Sequence, residues 1–128
     1  MTTDKILELL DAELDECLDD KSGEFVYTAI LNKLSYIITD NRENVIRALR
    51  IWLLANDRPK TVYVIGLVQE LRLYEMKSDM LLLKDKLVMN KPPFCRVGGE
   101  PYSEIMKGYY FKRIEDAINV SVARKDVD

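Results

Sequence analysis

Apolar side chains in the first forty residues recur at three- and four-residue spacing rather than in alternation, the pattern of helices buried along one face. Ile6, Leu7, Leu10, Leu14, Cys17 and Leu18 form the first stripe, and Thr3 or Asp4 is placed to cap it. Lys21-Ser22-Gly23 interrupts the pattern; Val26, Ala29, Ile30, Leu34, Ile37 and Ile38 restore it. The polar run Thr39-Asp40-Asn41-Arg42 predicts an end to this second helix. Val45, Ile46, Leu49, Trp52 and Leu53 then mark a third, with Arg42, Arg47 and Arg50 largely off its apolar side.

Asn56-Asp57-Arg58-Pro59 is a turn that carries a start signal. Asp57 can cap, and Pro59 suits a first helical turn, where its missing N–H costs nothing. Residues 61–68 are ambiguous, because their β-branched content also suits a buried strand. Leu67, Val68, Leu71 and Tyr74 carry a helical period past Gly66 and favour a helix. A glycine there costs about 1 kcal/mol against alanine, which speaks for a close helix contact rather than a site. Ser78-Asp79 starts a leucine-rich segment from Met80 to Met89, stopped by Asn90-Lys91-Pro92-Pro93. Residues 92–100, with Phe94, Cys95, Arg96 and Gly98-Gly99, are the longest irregular stretch. Pro101 then opens a last helix in which Ile105, Met106, Tyr109, Tyr110, Ile114, Ala117 and Ile118 recur, and the chain frays from about residue 120.

The pattern predicts a single all-α domain over residues 1–128, with six helices starting near residues 4, 24, 42, 58, 78 and 101. Short turns join neighbours, so they should pack as three antiparallel hairpins. Hairpins recurring at roughly 36 to 40 residues fall in the range of helical repeats. Asp40 followed by Val45, Arg47, Ala48 and Leu49 resembles the start of a HEAT-repeat helix. Asn56-Asp57-Arg58-Pro59, then Val64, Ile65 and Leu67, is similar to the turn and second helix of that repeat. The resemblance covers mainly residues 40–88; Ile46 separates Val45 from Arg47, and Asn56 stands where a glycine is common. It implies a short solenoid, while the period alone fits an irregular helical bundle equally.

Composition narrows the chemistry. With 128 residues, 48% hydrophobic and 32% charged, the chain is of ordinary globular composition. Histidine is absent, which removes the commonest catalytic base and metal ligand. Cys17 and Cys95 lie in unlike surroundings and read as two free thiols of a reducing cytosol. Met1-Thr2-Thr3-Asp4 lacks the basic start of a signal peptide, and no apolar run approaches the roughly 20 residues of a membrane span. A soluble cytoplasmic protein is expected. No nucleophile–base pair or phosphate loop is visible; Gly98-Gly99 is followed by Glu100 rather than a lysine and hydroxyl. No enzyme activity, cofactor or metal is expected.

Charge is distributed unevenly. Residues 1–24 carry nine acids against Lys5 and Lys21, whereas residues 25–128 hold 17 basic and 13 acidic groups. Glu8, Asp11, Asp15 and Asp19 follow one helix face at three- and four-residue spacing. This row reads as a solvated face or as a surface for a basic partner. A hard cation would want further ligands, and the Glu-x-x-His pairs of di-metal bundles are missing. Asp15, Glu16, Asp19 and Asp20 also sit at the wrong end of their helix for its dipole, so a gain outside stability is the economical reading.

A second candidate surface combines Phe94, Arg96, Tyr102, Tyr109, Tyr110 and Phe111, since tyrosine and arginine are frequent interface anchors. Tyr109, Tyr110 and Phe111 are consecutive and cannot all enter one core; Tyr109 is expected inside, with Tyr110 or Phe111 towards a partner. The partner-binding candidates are therefore Glu8, Asp11, Asp15, Asp19, Arg96, Tyr102, Tyr110 and Phe111. Small acidic all-α proteins of this kind look like bacterial immunity proteins, a resemblance that implies capture of one basic toxin; an adaptor is the sibling reading. Nucleic acid is the alternative, through Arg42, Arg47, Arg50, Arg58 and Lys60 together with Lys107, Lys112 and Arg113.

Overall fold

The computed structural model describes residues 1–16, 23–96 and 98–127. Helix α1 spans Thr3–Glu16, α2 Gly23–Leu54, α3 Arg58–Glu70, α4 Lys77–Val88 and α5 Glu104–Val127, with a 3₁₀ turn at Tyr74–Met76 before α4. Among the described residues the fold is all-helical, and its one β-bridge joins Cys95 to Pro101. No helix is long and apolar enough to cross a membrane among them. The chain separates into two compact units, Met1–Ile51 and Trp52–Asp128.

In the first unit α1 and α2 run antiparallel. Thr3 Oγ1 donates to Asn44 Oδ1 at 3.3 Å, while ten residues further along α1 Glu13 pairs with Lys33. Ten residues of α1 thus match eleven of α2, about 15 Å against 16.5 Å at the helical rise of 1.5 Å per residue. Ile6, Leu10, Val26, Ile30 and Leu34 are buried here, as their spacing predicts. The helix cap is Thr2 rather than Thr3 or Asp4: its hydroxyl accepts from Lys5 N–H at 3.2 Å. Cys17 and Leu18 lie outside the described residues.

The expected break at residues 39–42 is a kink within one helix, so among the described residues five α-helices stand where six were expected. Asn41 leaves helical geometry, at φ −134° and ψ 26°. Its side-chain Nδ2 donates to Ile37 O at 2.9 Å, a bond to the i−4 carbonyl of the kind that bends helices. Asn41 Oδ1 also accepts from the Met1 amino group at 2.6 Å. The side chain bends the helix without ending it.

In the second unit α5 packs against both α3 and α4 and against the 3₁₀ turn. Residues 61–68 are helical, and Thr61, Val64, Ile65, Gly66, Leu67 and Val68 are all buried. A helix covered over so much of its circumference loses its stripe, which is why this segment also reads as a strand. It ends at Glu70, earlier than the period through Tyr74 suggests. Arg72 takes φ 53°, and Leu73 N–H bonds Val68 O at 3.0 Å, the six-to-one closure of a Schellman cap. Buried Val68 and Leu73 supply the hydrophobic pair that accompanies this cap.

The α4 terminus repeats the device with Asn90 at φ 56° and Lys91 N–H on Lys86 O at 2.8 Å. Helix α4 starts at Lys77, directly after the 3₁₀ turn, rather than at Ser78. Helix α5 starts after Ser103, whose hydroxyl accepts from Met106 N–H at 3.3 Å, and not at Pro101, which is held in the bridge to Cys95.

Candidate functional site

The acidic row of α1 is exposed at Glu8, Asp11 and Asp15; Asp19 lies outside the described residues. Glu8 carries an ion pair with Lys5 at 3.7 Å. Glu13 is different: it is buried and ion-paired to Lys33, so it belongs to the α1–α2 contact rather than to the row. Among the described residues no three acidic or sulfur side chains converge as metal ligands do.

The aromatic candidates divide. Tyr110 is 9% exposed, whereas Tyr109 is 57% exposed, the reverse of the burial expected from sequence. Buried Tyr110, Ile114, Ala117 and Ile118 set the core phase of α5, and Ile105 and Tyr109 fall outside it. Ile105, expected in the core, is 87% exposed. Tyr102 is buried as well, and its ring lies 5.8 Å from that of Tyr110, with Phe94 5.6 Å from Tyr110 on centroid distances. Arg96 and Phe111 remain on the surface.

Two concavities mark the second unit. The smaller, about 280 Å³, lies between α4 and α5 and is lined by Leu87, Val88, Glu104, Lys107, Gly108 and Phe111. Val88, Met89, Ile105 and Tyr109 are exposed apolar or aromatic residues at or beside it in sequence. Lys84 sits 5.2 Å over the Phe111 ring and ion-pairs with Glu115 at 2.7 Å. The sequence reading picked out Phe111 here but not Val88 or Met89, which look like core positions in a leucine-rich helix.

The larger concavity, about 780 Å³, gathers the turn before α3, the end of α4 and the loop before α5. Arg58, Lys91, Arg96 and Tyr102 contribute to its lining, with Asp57 as its one carboxylate. Asp57 Oδ2 is occupied as the α3 cap, accepting from Lys60 N–H at 3.1 Å. The Tyr102 and Tyr110 hydroxyls beside the Arg58 guanidinium hold its pKa above the ordinary value. Tyr102 O–H donates to Pro93 O at 3.2 Å. Burial pushes the Tyr110 hydroxyl above its ordinary pKa, with Arg58 opposing.

Loop closure comes from Arg96 N–H on Glu100 O at 2.7 Å and Gly99 N–H on Arg96 O at 2.9 Å. Gly98 and Gly99 take φ of 91° and 84°, a region that side-chain-bearing residues avoid, so glycines are required here. The sequence places Arg58 in the turn before α3 and among the basic residues of the nucleic-acid alternative, but not in a groove, because its neighbours there come from 32 or more positions away. Arg47, of the same alternative, is engaged within its own helix by Glu43 at 2.6 Å.

Comparison with protein-family models, with curated proteins and with solved structures finds no match to this chain.

Proposed function

We propose that this protein is a non-enzymatic protein-binding module, which anchors one partner on the apolar face between α4 and α5. The observation that carries this reading is the concavity lined by exposed Val88 and Phe111. Scattered apolar residues are normal on a surface, but a rimmed apolar depression is where partners dock. Phe111 is an aromatic of the kind that anchors such a contact.

The exposed acids Glu8, Asp11 and Asp15 on the other unit add the partner's sign. A basic protein would be drawn by them through long-range attraction, which raises association rates more than final affinity. Within this reading, an immunity-type inhibitor of a basic toxin is one form and an adaptor is another. The HEAT-like resemblance of residues 40–88 supports a scaffold of this class without adding a residue to the contact.

Affinity capture from the native host separates the two contributions. Val88→Lys should abolish recovery of the partner at all salt concentrations. Asn at positions 8, 11 and 15 should instead slow capture at low salt by roughly tenfold, with little effect at high salt. Recovery that is identical for all variants would contradict both assignments.

A further inference from the structure

The larger groove of the second unit is a separate feature from the apolar face, and its charge is of the opposite kind. Arg58, Lys91 and Arg96 line it against the single carboxylate of Asp57, leaving two positive charges in excess. Among the described residues none of these three cations is held in an ion pair. Lys86 adds a fourth cation nearby, with its Nζ 3.1 Å from Asn56 Oδ1.

Arg58 is the informative residue. It shares the groove lining with Tyr102, whose hydroxyl donates its own proton to Pro93 O and so keeps its lone pairs for a donor. Among the described residues no carboxylate is ion-paired to Arg58. The charge is therefore positioned without being neutralised. That arrangement suits recognition of an incoming anion, since less side-chain freedom remains to be lost on binding. The α3 N-terminus lies in the same lining and adds its positive end, though Asp57 takes part of it.

We propose that this groove binds a small phosphate-bearing molecule, with Arg58 and Arg96 as the phosphate ligands and Lys91 as a supporting charge. A phosphate monoester carries about two negative charges near neutral pH, which matches the excess, and a diphosphate about one more, which Lys86 nearby can meet; a monocarboxylate would leave one cation uncompensated. The planar donor fork of arginine fits phosphate oxygens in pairs. At about 780 Å³ the groove lies within the size range of small-molecule sites, and is large enough for the phosphate together with an attached group. Tyr102 acts as a positioning residue through Arg58.

The test is an amide NMR titration of the full chain with inorganic pyrophosphate, compared with sodium chloride at equal ionic strength. The expected result is saturable shifts at Asn56–Lys60 and at Arg96, Gly98 and Gly99, with chloride giving none. Arg58→Gln should weaken the affinity at least tenfold. Arg96→Gln, in an exposed turn that does not support the core, should weaken it at least threefold. Tyr102→Phe should weaken pyrophosphate binding several-fold while the amide spectrum keeps its folded dispersion. A mononucleotide arm should bind at the same residues. The proposal is overturned by shifts that do not saturate, by equal shifts with chloride, by unchanged affinity in Arg58→Gln, or by binding of a single-stranded oligonucleotide where pyrophosphate and mononucleotide do not bind.

Discussion

At the scale of single residues, Tyr110 joins the core to the groove. Its ring packs among Phe94, Tyr102 and Tyr109, and its hydroxyl faces Arg58. Burial raises its pKa above the ordinary value near 10, so the folded state holds the phenol proton to higher pH than the unfolded chain does. Stability tied to this group is complete below about pH 10 and is lost as pH rises through the higher folded pKa. Thermal unfolding between about pH 9 and pH 11 should therefore show a steeper decline for wild type than for Tyr110→Phe. Equal slopes would mean that the hydroxyl is hydrated in the folded state. Glu13 shows the other way of holding a polar group inside, since its carboxylate is buried but meets Lys33. The helical period places Glu13 in phase with buried Ile6 and Leu10 and leaves Ala12 and Asp15 off that face; what it does not supply is Lys33, which comes with α2.

At the scale of elements, helix ends account for most of the differences between sequence pattern and structure. The α3 start was legible because Asp57 and Pro59 are a strong local signal, and the cap is present as expected. Asp57→Ala should lower stability by about 1 kcal/mol, measurable as a shift of the urea midpoint with unchanged slope. The ends of α2 and α4 were legible as well, at the turn that opens with Asn56 and the stop that opens with Asn90, both asparagines at positive φ. The α3 end was not, because Arg72 takes the positive φ where glycine or asparagine usually marks such an end. The kink at Asn41 was half legible: its polar neighbours mark an interruption, but whether a helix ends or bends depends on what bonds the Ile37 carbonyl. Helix α5 was legible in type but not in rotation. Ile105, Tyr109 and Tyr110 give two apolar phases about 100° apart, and packing against α3 and α4 selects the one through Tyr110.

At the scale of the whole chain, the two compact units carry surfaces of different character. The first presents the exposed acids of α1, and the second holds both the apolar depression and the cationic groove. The charge asymmetry was readable in the sequence, because it needs only counting along the chain. The groove was not, since Asp57–Arg58, Lys91 and Arg96 meet only once α3, α4 and the loop before α5 are placed. The apolar depression was hidden for a related reason: Val88 reads as core until the phase of α4 is known. The most direct test of the protein-binding assignment is photo-crosslinking in the native host from a photoreactive residue placed at position 88. One discrete adduct joining this chain to a different protein, absent when the same residue is placed at Ser35, is the predicted result. No adduct at position 88, an adduct only between copies of this chain, or equal adducts at both positions would contradict it.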